Sequence, residues 1–173
     1  MILKPVKDPT DVTSYRPISL LPVMSKIPEK LLLSTLTKDM PPQTWIPSHQ
    51  FGFRKGHSTI HQCHQLTDII LKAFENRKYC PAVFLDVSQA FDKVWHPGLL
   101  LKIQQTLLQQ YFTLLQSYLQ HRYLEVSYNN ATSPPVLMRS GVPQGTILGP
   151  FLYTLYTIYI IHGGLPANHQ NNP

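Results

Sequence analysis

What this chain has least of is charge, and negative charge above all. Only 14% of its 173 residues are Asp, Glu, Lys or Arg, against about 25% in an ordinary globular protein. Nine acids face fifteen Lys and Arg, a net charge of +6, which disfavours a cationic partner and favours a polyanion. No acidic residue follows Glu125, and no charged residue of either sign follows Arg139. Cysteine is nearly missing: Cys63 and Cys80 alone make no disulfide framework, and an intracellular protein is the expectation. Long apolar runs are missing too. The longest uncharged one, Phe151 to Ile161, falls short of the ~20 residues of a membrane span and reads as a buried helix. Met1 to Lys7 carries Lys4 and Lys7 and no apolar core for a signal peptide.

What is present in excess is proline. Sixteen prolines are nearly twice the usual ~5%, so loops and interrupted elements are expected. Hydrophobic residues make up 43%, enough for one domain with a real core or for two small lobes. The chain ends in Pro166 to Pro173, rich in Asn, Pro and His-Gln, a composition for a loose tail.

The stretch with the strongest local signal is Ala82-Val83-Phe84-Leu85-Asp86. Four apolar residues in a row read as a strand buried on both faces. Ala90, Phe91, Val94 and Trp95 then recur at helical spacing among Gln89, Asp92 and Lys93. Asp86 would thus sit where a strand hands over to a helix. A carboxylate there either caps the helix or holds a cation, since burying it alone is costly. The stretch by itself does not separate the two.

Taken in order, Ile2 to Val6 and Arg16 to Leu21 read as extended pieces around the turn Asp8-Pro9-Thr10-Asp11. Lys4, Lys7 and Arg16 would project from this hairpin. Residues 25–39 read as a helix with Ser25 as its N-cap and Pro28 in its tolerant first turn. Phe51 to Thr59 places Arg54 and Lys55 among aromatics and glycines, a pattern that suits a nucleic-acid backbone and also an ordinary loop. Thr59 can cap a helix to about Arg77, with Ile60, Cys63, Leu66, Ile70, Ala73 and Phe74 along one side. His57, His61, Cys63 and His64 lie close in sequence, but only the isolated Cys80 follows, so a structural zinc site is not expected.

Pro97 to Gln110 and Tyr111 to Gln120 read as leucine-rich helices. His121 to Tyr128 alternates as a strand does, Asn129-Asn130 is a turn, and Val136 to Val142 is the return strand. Ser140 to Pro150 then spaces Gly141, Gly145 and Gly149 four apart between two prolines, just before the apolar run. Such a loop lets a ligand approach the backbone closely. It matches neither a Walker loop nor G-x-G-x-x-G.

Four stretches carry a resemblance: Tyr15-Arg16-Pro17-Ile18-Ser19-Leu20-Leu21, Gln50-Phe51-Gly52-Phe53-Arg54, Phe84-Leu85-Asp86-Val87-Ser88-Gln89-Ala90-Phe91-Asp92 and Gly141-Val142-Pro143-Gln144-Gly145. In this order and at these separations the chain resembles the reverse-transcriptase domain of non-LTR retrotransposons, most closely Jockey-like elements, over residues 1 to about 157. The resemblance implies an α+β fold that is part of a right-hand polymerase. Residues 1–78 would be fingers, 79–160 an incomplete palm and 161–173 an unstructured tail, with the thumb absent.

It also implies roles. Asp86 aligns with the family's first catalytic aspartate and, with the Val87 backbone carbonyl, would contact the two Mg²⁺ ions of the complete enzyme. Phe91 aligns with the aromatic that excludes a ribose 2′-hydroxyl, and Gln144 and Gly145 with the loop beside the incoming nucleotide. Arg16 resembles the cation facing the triphosphate; Arg54 and Lys55 would meet nucleic acid. Asp92 reads as structural, turned away from Asp86 by the helix. The implied partners are an RNA template, a DNA primer and deoxynucleoside triphosphates, with no membrane and with the nucleus as the place of work.

The departures weigh equally. The family's next motif is an aromatic-Ala-Asp-Asp hairpin with two further catalytic aspartates, and no Ala-Asp-Asp occurs here. Pro28 stands where relatives usually carry a bulky apolar residue. The expectation is a truncated polymerase fragment that holds its metals incompletely and is inactive alone, or a nucleic-acid-binding remnant without catalysis. A phosphohydrolase with Asp86 as nucleophile would need a second nearby acid or a lysine partner in a later motif, and nothing after Glu125 supplies the acid.

Overall fold

The computed structural model describes residues 2–6, 8–11, 14–16, 18–19, 21–41, 45–128 and 131–161. Helices and short two-stranded ladders alternate, a mixed α+β arrangement. The N-terminal hairpin pairs β1 (Ile2–Leu3) with β2 (Tyr15–Arg16), antiparallel, with Ile2 opposite Arg16. Its turn is closed by Asp8, whose Oδ1 accepts from the Thr10 N–H at 2.9 Å and its hydroxyl at 2.7 Å. Those two bonds hold the exposed Asp8 carboxyl below its ordinary pKa. Pro17 and Leu20 of the expected second piece lie outside the described residues.

Helix α1 (Lys26–Asp39) follows a single 3₁₀ turn, Val23–Ser25. Ser25 is its N-cap residue, as expected, but makes no side-chain capping bond; the Ser25 hydroxyl donates back to the Pro22 carbonyl at 2.6 Å. Helix α2 (Thr59–Glu75) is capped by Ser58, whose Oγ accepts from the His61 N–H at 3.4 Å, rather than by Thr59. None of the α2 residues is buried, and Ile60 and Phe74 are 64% and 70% exposed. The apolar stripe read from its spacing is real, but Leu66, Ile70 and Ala73 are only half-buried and its other members are exposed.

The core lies further along. Helices α3 (His96–Thr106) and α4 (Gln109–Leu119) form a leucine-rich pair, and Pro97 sits in the first turn of α3, where its missing N–H is harmless. Helix α5 (Gly149–Ile161) packs against α3. Leu99, Ile103, Leu115, Leu119, Leu152 and Leu155 are fully or almost fully buried there, joined by Leu36 of α1. Each such side chain contributes about 1.5–3 kcal/mol of burial. Ile161 closes α5 rather than opening the tail, and residues 162–173 lie outside the described residues. No described helix is long and apolar enough to cross a membrane.

Between α4 and α5 a hairpin runs in two steps. β3 (Tyr123–Leu124) pairs with β6 (Val136–Leu137), and β4 (Ser127–Tyr128) with β5 (Ala131–Thr132). The register slips by one residue between the ladders, because Ser133-Pro134-Pro135 opposes Glu125-Val126. Proline has no N–H for the ladder, so a bulge is the available solution. Val126 and Ser133 bridge it with two hydrogen bonds of 2.9 and 3.0 Å. The Asn129-Asn130 turn lies outside the described residues.

The expected buried strand at Ala82–Asp86 does not form. Residues 78–87 carry no regular structure, and Val83, Phe84 and Leu85 are 84%, 80% and 91% exposed. A strand exists only against a partner backbone, and no described segment offers one here. Nor is 89–95 a helix: Ser88 to Lys93 form turns, with Gln89 at φ +54° and its carbonyl accepting from both Asp92 and Lys93 N–H. The backbone at Val94 and Trp95 is instead claimed by residues 140–141, which delays the helix to His96.

Candidate active site

A cleft of about 760 Å³ lies between the β1–β2 hairpin, the turns at 86–92 and the glycine loop. It gathers Arg16, Asp86, Val87, Phe91 and Gln144, which come from three of the four motif stretches. Asp86 therefore faces the same space as Gln144, although no strand delivers it. Gly145 stands beside Gln144 at φ +94°, close to Ile18.

The cleft's floor is fixed by backbone pairing. Val142 N–H donates to the Phe91 carbonyl at 2.8 Å and Gly141 N–H to the Val94 carbonyl at 2.7 Å. Gly141 has φ +92°, and a Cβ there would lie 2.9 Å from the Asp92 carbonyl oxygen. Only glycine allows this approach. On the other side, Ser19 N–H donates to the Gln144 carbonyl at 2.9 Å, tying the loop to the segment after β2.

The loop is also held from below by Glu29 of α1, which is 5% exposed. One carboxylate oxygen accepts from the Tyr118 hydroxyl at 2.9 Å, the other from the Ile147 N–H at 2.7 Å. Burial raises the Tyr118 pKa, and its bond to Glu29 raises it further. Thr146 completes the entry to α5, donating to the Pro143 carbonyl and accepting from the Gly149 N–H.

Phe91 belongs to an aromatic trio. It stacks on Tyr153 of α5, centroids 4.4 Å apart and planes 20° apart, and meets Phe53 edge-on at 5.7 Å. Burial raises the Tyr153 pKa, and the negative charge of Asp86 adds to the rise. Phe91 is the member of the trio that lines the cleft with Asp86.

Three expected residues do not line the cleft, and Gly145, beside Gln144, is the first. Arg54 Nη1 donates to the Pro47 carbonyl at 3.1 Å within its own loop, and Lys55 is exposed; neither lines the cleft. Asp92 is the opposite case. It was expected to turn away from Asp86, yet it lines the same cleft, because the predicted helix is a set of turns. Its Oδ1 accepts from Gln144 Nε2 at 2.9 Å. Glu29 and Tyr153 escape sequence reasoning, since the apolar periods around them mark them as ordinary helix positions; Phe53 stands in a motif stretch, but its contact with Phe91 is not readable there.

Among the described residues no three His, Cys, Asp or Glu side chains come together to hold a metal ion. Asp86 and Asp92 are the carboxylates that line the cleft, and Asp92 is already engaged by Gln144.

A family model described as "Reverse transcriptase (RNA-dependent DNA polymerase)" matches residues 2–166. The probable RNA-directed DNA polymerase from transposon BS of Drosophila melanogaster is 49% identical over 157 residues, covering 91% of this chain and 17% of that protein. The probable RNA-directed DNA polymerase from transposon X-element of the same species is also 49% identical over 157 residues, with the same coverage of 91% and 17%. The RNA-directed DNA polymerase from mobile element jockey of Drosophila funebris is 45% identical over 157 residues, again 91% of this chain and 17% of that one. The chain thus spans 17% of the length of these relatives.

Proposed function

Because the chain belongs to the reverse transcriptase (RNA-dependent DNA polymerase) family, we propose that it forms the nucleotide-facing part of an RNA-directed DNA polymerase. Residues 1–78 serve as fingers and 79–160 as an incomplete palm. The carrying observation is that Arg16, Asp86, Val87, Phe91 and Gln144, distant in sequence, line one cleft.

In this reading each group does a definite job. Arg16, with Lys4 in the same cleft, offsets the negative charge of a deoxynucleoside triphosphate. Phe91 stands against the sugar, where a 2′-hydroxyl would collide with a ring held on two sides by Tyr153 and Phe53. Gln144 offers the sugar a hydrogen-bonding amide. Arg54 and Lys55 act outside the cleft, on template or primer phosphates.

The family is generally divalent-metal dependent. Two divalent ions ~4 Å apart repel by about 17 kcal/mol at an effective dielectric of ~20. Asp86 and an already engaged Asp92 do not form a donor set that offsets this, so the described residues do not fit a two-ion centre. This favours a second reading for the chain as it stands: it binds nucleic acid and nucleotide and does not polymerise.

Primer extension on an RNA template tests both. The unmodified chain is expected to leave the primer unextended, while retaining duplex binding whose log affinity falls with log salt by about 0.9 per phosphate contacted. A version continued with the following segment of a jockey-type relative is expected to extend the primer, and to lose that in Asp86→Ala. Extension by the unmodified chain, abolished by Asp86→Ala, would overturn the non-catalytic reading. Salt-independent binding would overturn the electrostatic one.

A further inference from the structure

The glycine loop meets residues 91–95 through backbone contacts: Val142 N–H to the Phe91 carbonyl, Gly141 N–H to the Val94 carbonyl, and a bridge between Ser140 and Trp95. The Gly141 carbonyl is taken by a side chain instead. It lies 2.7 Å from Nε2 of His96, a half-buried residue 45 positions earlier. A carbonyl oxygen only accepts hydrogen bonds, so Nε2 carries the hydrogen, and in the neutral ring Nδ1 is the nitrogen without one. His96 is the first residue of α3, whose Leu99 and Ile103 are fully buried. The imidazole therefore hangs from the rim of the core rather than from a loop.

One peptide unit is thus held at both ends, the Gly141 carbonyl by His96 and the Val142 N–H by Phe91. The second of these bonds bears on the cleft, because Phe91 lines it and Gln144, two residues beyond Val142, lines it as well. Glycine has the widest backbone freedom of any residue, and Gly141, at φ +92°, is where the loop turns. With no donor on its carbonyl, this peptide can swing about Gly141 and leave Phe91. We propose that His96 is a positioning residue whose Nε2–H latches the Gly141 carbonyl and so keeps the glycine loop closed on Phe91, the form of the cleft that takes a nucleotide. The latch rests on the hydrogen-bond geometry; its link to a nucleotide rests on the reading given above.

Three measurements on the full chain test this. The first is the ring ¹⁵N spectrum of labelled histidine in the native chain. His96 is expected in the Nε2–H form, and the Nδ1–H form overturns the latch. The second is amide hydrogen exchange, which reports local opening. His96→Leu is expected to speed exchange at Val142 N–H by about two- to tenfold, the worth of one hydrogen bond, while Leu99 to Ile103 of α3 exchange as in the native chain. His96→Gln offers an Nε2–H of its own and is expected to bring Val142 back toward the native rate. No acceleration at Val142, equal acceleration at Val142 and in α3, or a Gln variant that behaves as the Leu variant overturns the positioning role. The third needs no substitution. Thymidine triphosphate added to the native chain is expected to slow Val142 exchange, because a ligand that takes only the closed form shifts the population toward it. Binding that leaves Val142 exchange unchanged overturns the link between the latch and the cleft. Absence of binding refutes the nucleotide reading and that link with it, while the ring spectrum and the exchange of the two variants still decide the latch.

Discussion

Lys102 of α3 is 2% exposed, and its ammonium donates to the Tyr156 carbonyl of α5 at 2.8 Å, 4.9 Å from that residue's ring centre. Burial lowers its pKa from the ordinary 10.5 to about 8. At 1.36 kcal/mol per pH unit, the charged form costs the fold at most about 3 kcal/mol. Discounted for solvent screening at the ammonium end, about 1–2 kcal/mol is the working figure. The unfolded chain binds the extra proton between about pH 8 and 10.5, so native stability rises across that window and the full cost applies below it. Lys102→Met keeps the stem and removes the charge. It is expected to stabilise the protein by about 1–2 kcal/mol at pH 7. Approaching pH 10.5 the charge cost fades and the advantage falls toward zero. Urea unfolding followed by the fluorescence of Trp45 and Trp95 at pH 7, 9 and 10.5 measures this. A gain that does not change with pH, or a loss at pH 7, refutes the reasoning.

Further perturbations report on other parts of the frame. Glu29→Ala leaves the Tyr118 hydroxyl and the Ile147 N–H without their acceptor and is expected to cost about 2–4 kcal/mol in the same unfolding assay; Glu29→Gln, which keeps one acceptor, should cost less. Phe84→Ser with Leu85→Lys alters side chains that are 80% and 91% exposed. It should leave the melting temperature unchanged and lower light scattering at high protein concentration, since an extended apolar segment with unpaired backbone invites strand addition between molecules. Pro28, itself exposed, borders an open groove of about 420 Å³ with Leu32, Leu114 and Leu148, so Pro28→Leu should add roughly 1 kcal/mol by covering apolar surface there; a calorimetric melt that falls instead would show that the groove does not accept the side chain.

The helices were legible in the sequence because their determinants are local. Apolar spacing and the uncharged run ending at Ile161 mark α4 and α5 to within two residues, and Pro97 marks the start of α3, which ends at Thr106, four residues before the expected Gln110. The glycine loop was legible for the same reason: Gly141 and Gly145 adopt the positive φ that their residue type permits. The four motif stretches also named most of the cleft's lining before any coordinates. What the sequence alone misjudged depends on partners elsewhere in the chain. An apolar run reports a tendency to be buried, but a strand at 82–86 needs a second backbone within hydrogen-bonding reach, and apolarity carries no information about one. Asp92 was assigned by helical phase, and its true direction follows from residues 140–144 docking on Phe91 to Trp95. Glu29 is the extreme case, a carboxylate that joins partners 89 and 118 positions away. Only the packing of α1 against the loop before α5 decided that this acid would be buried, because a hydrogen bond is fixed by distance in space and a sequence records only distance along the chain.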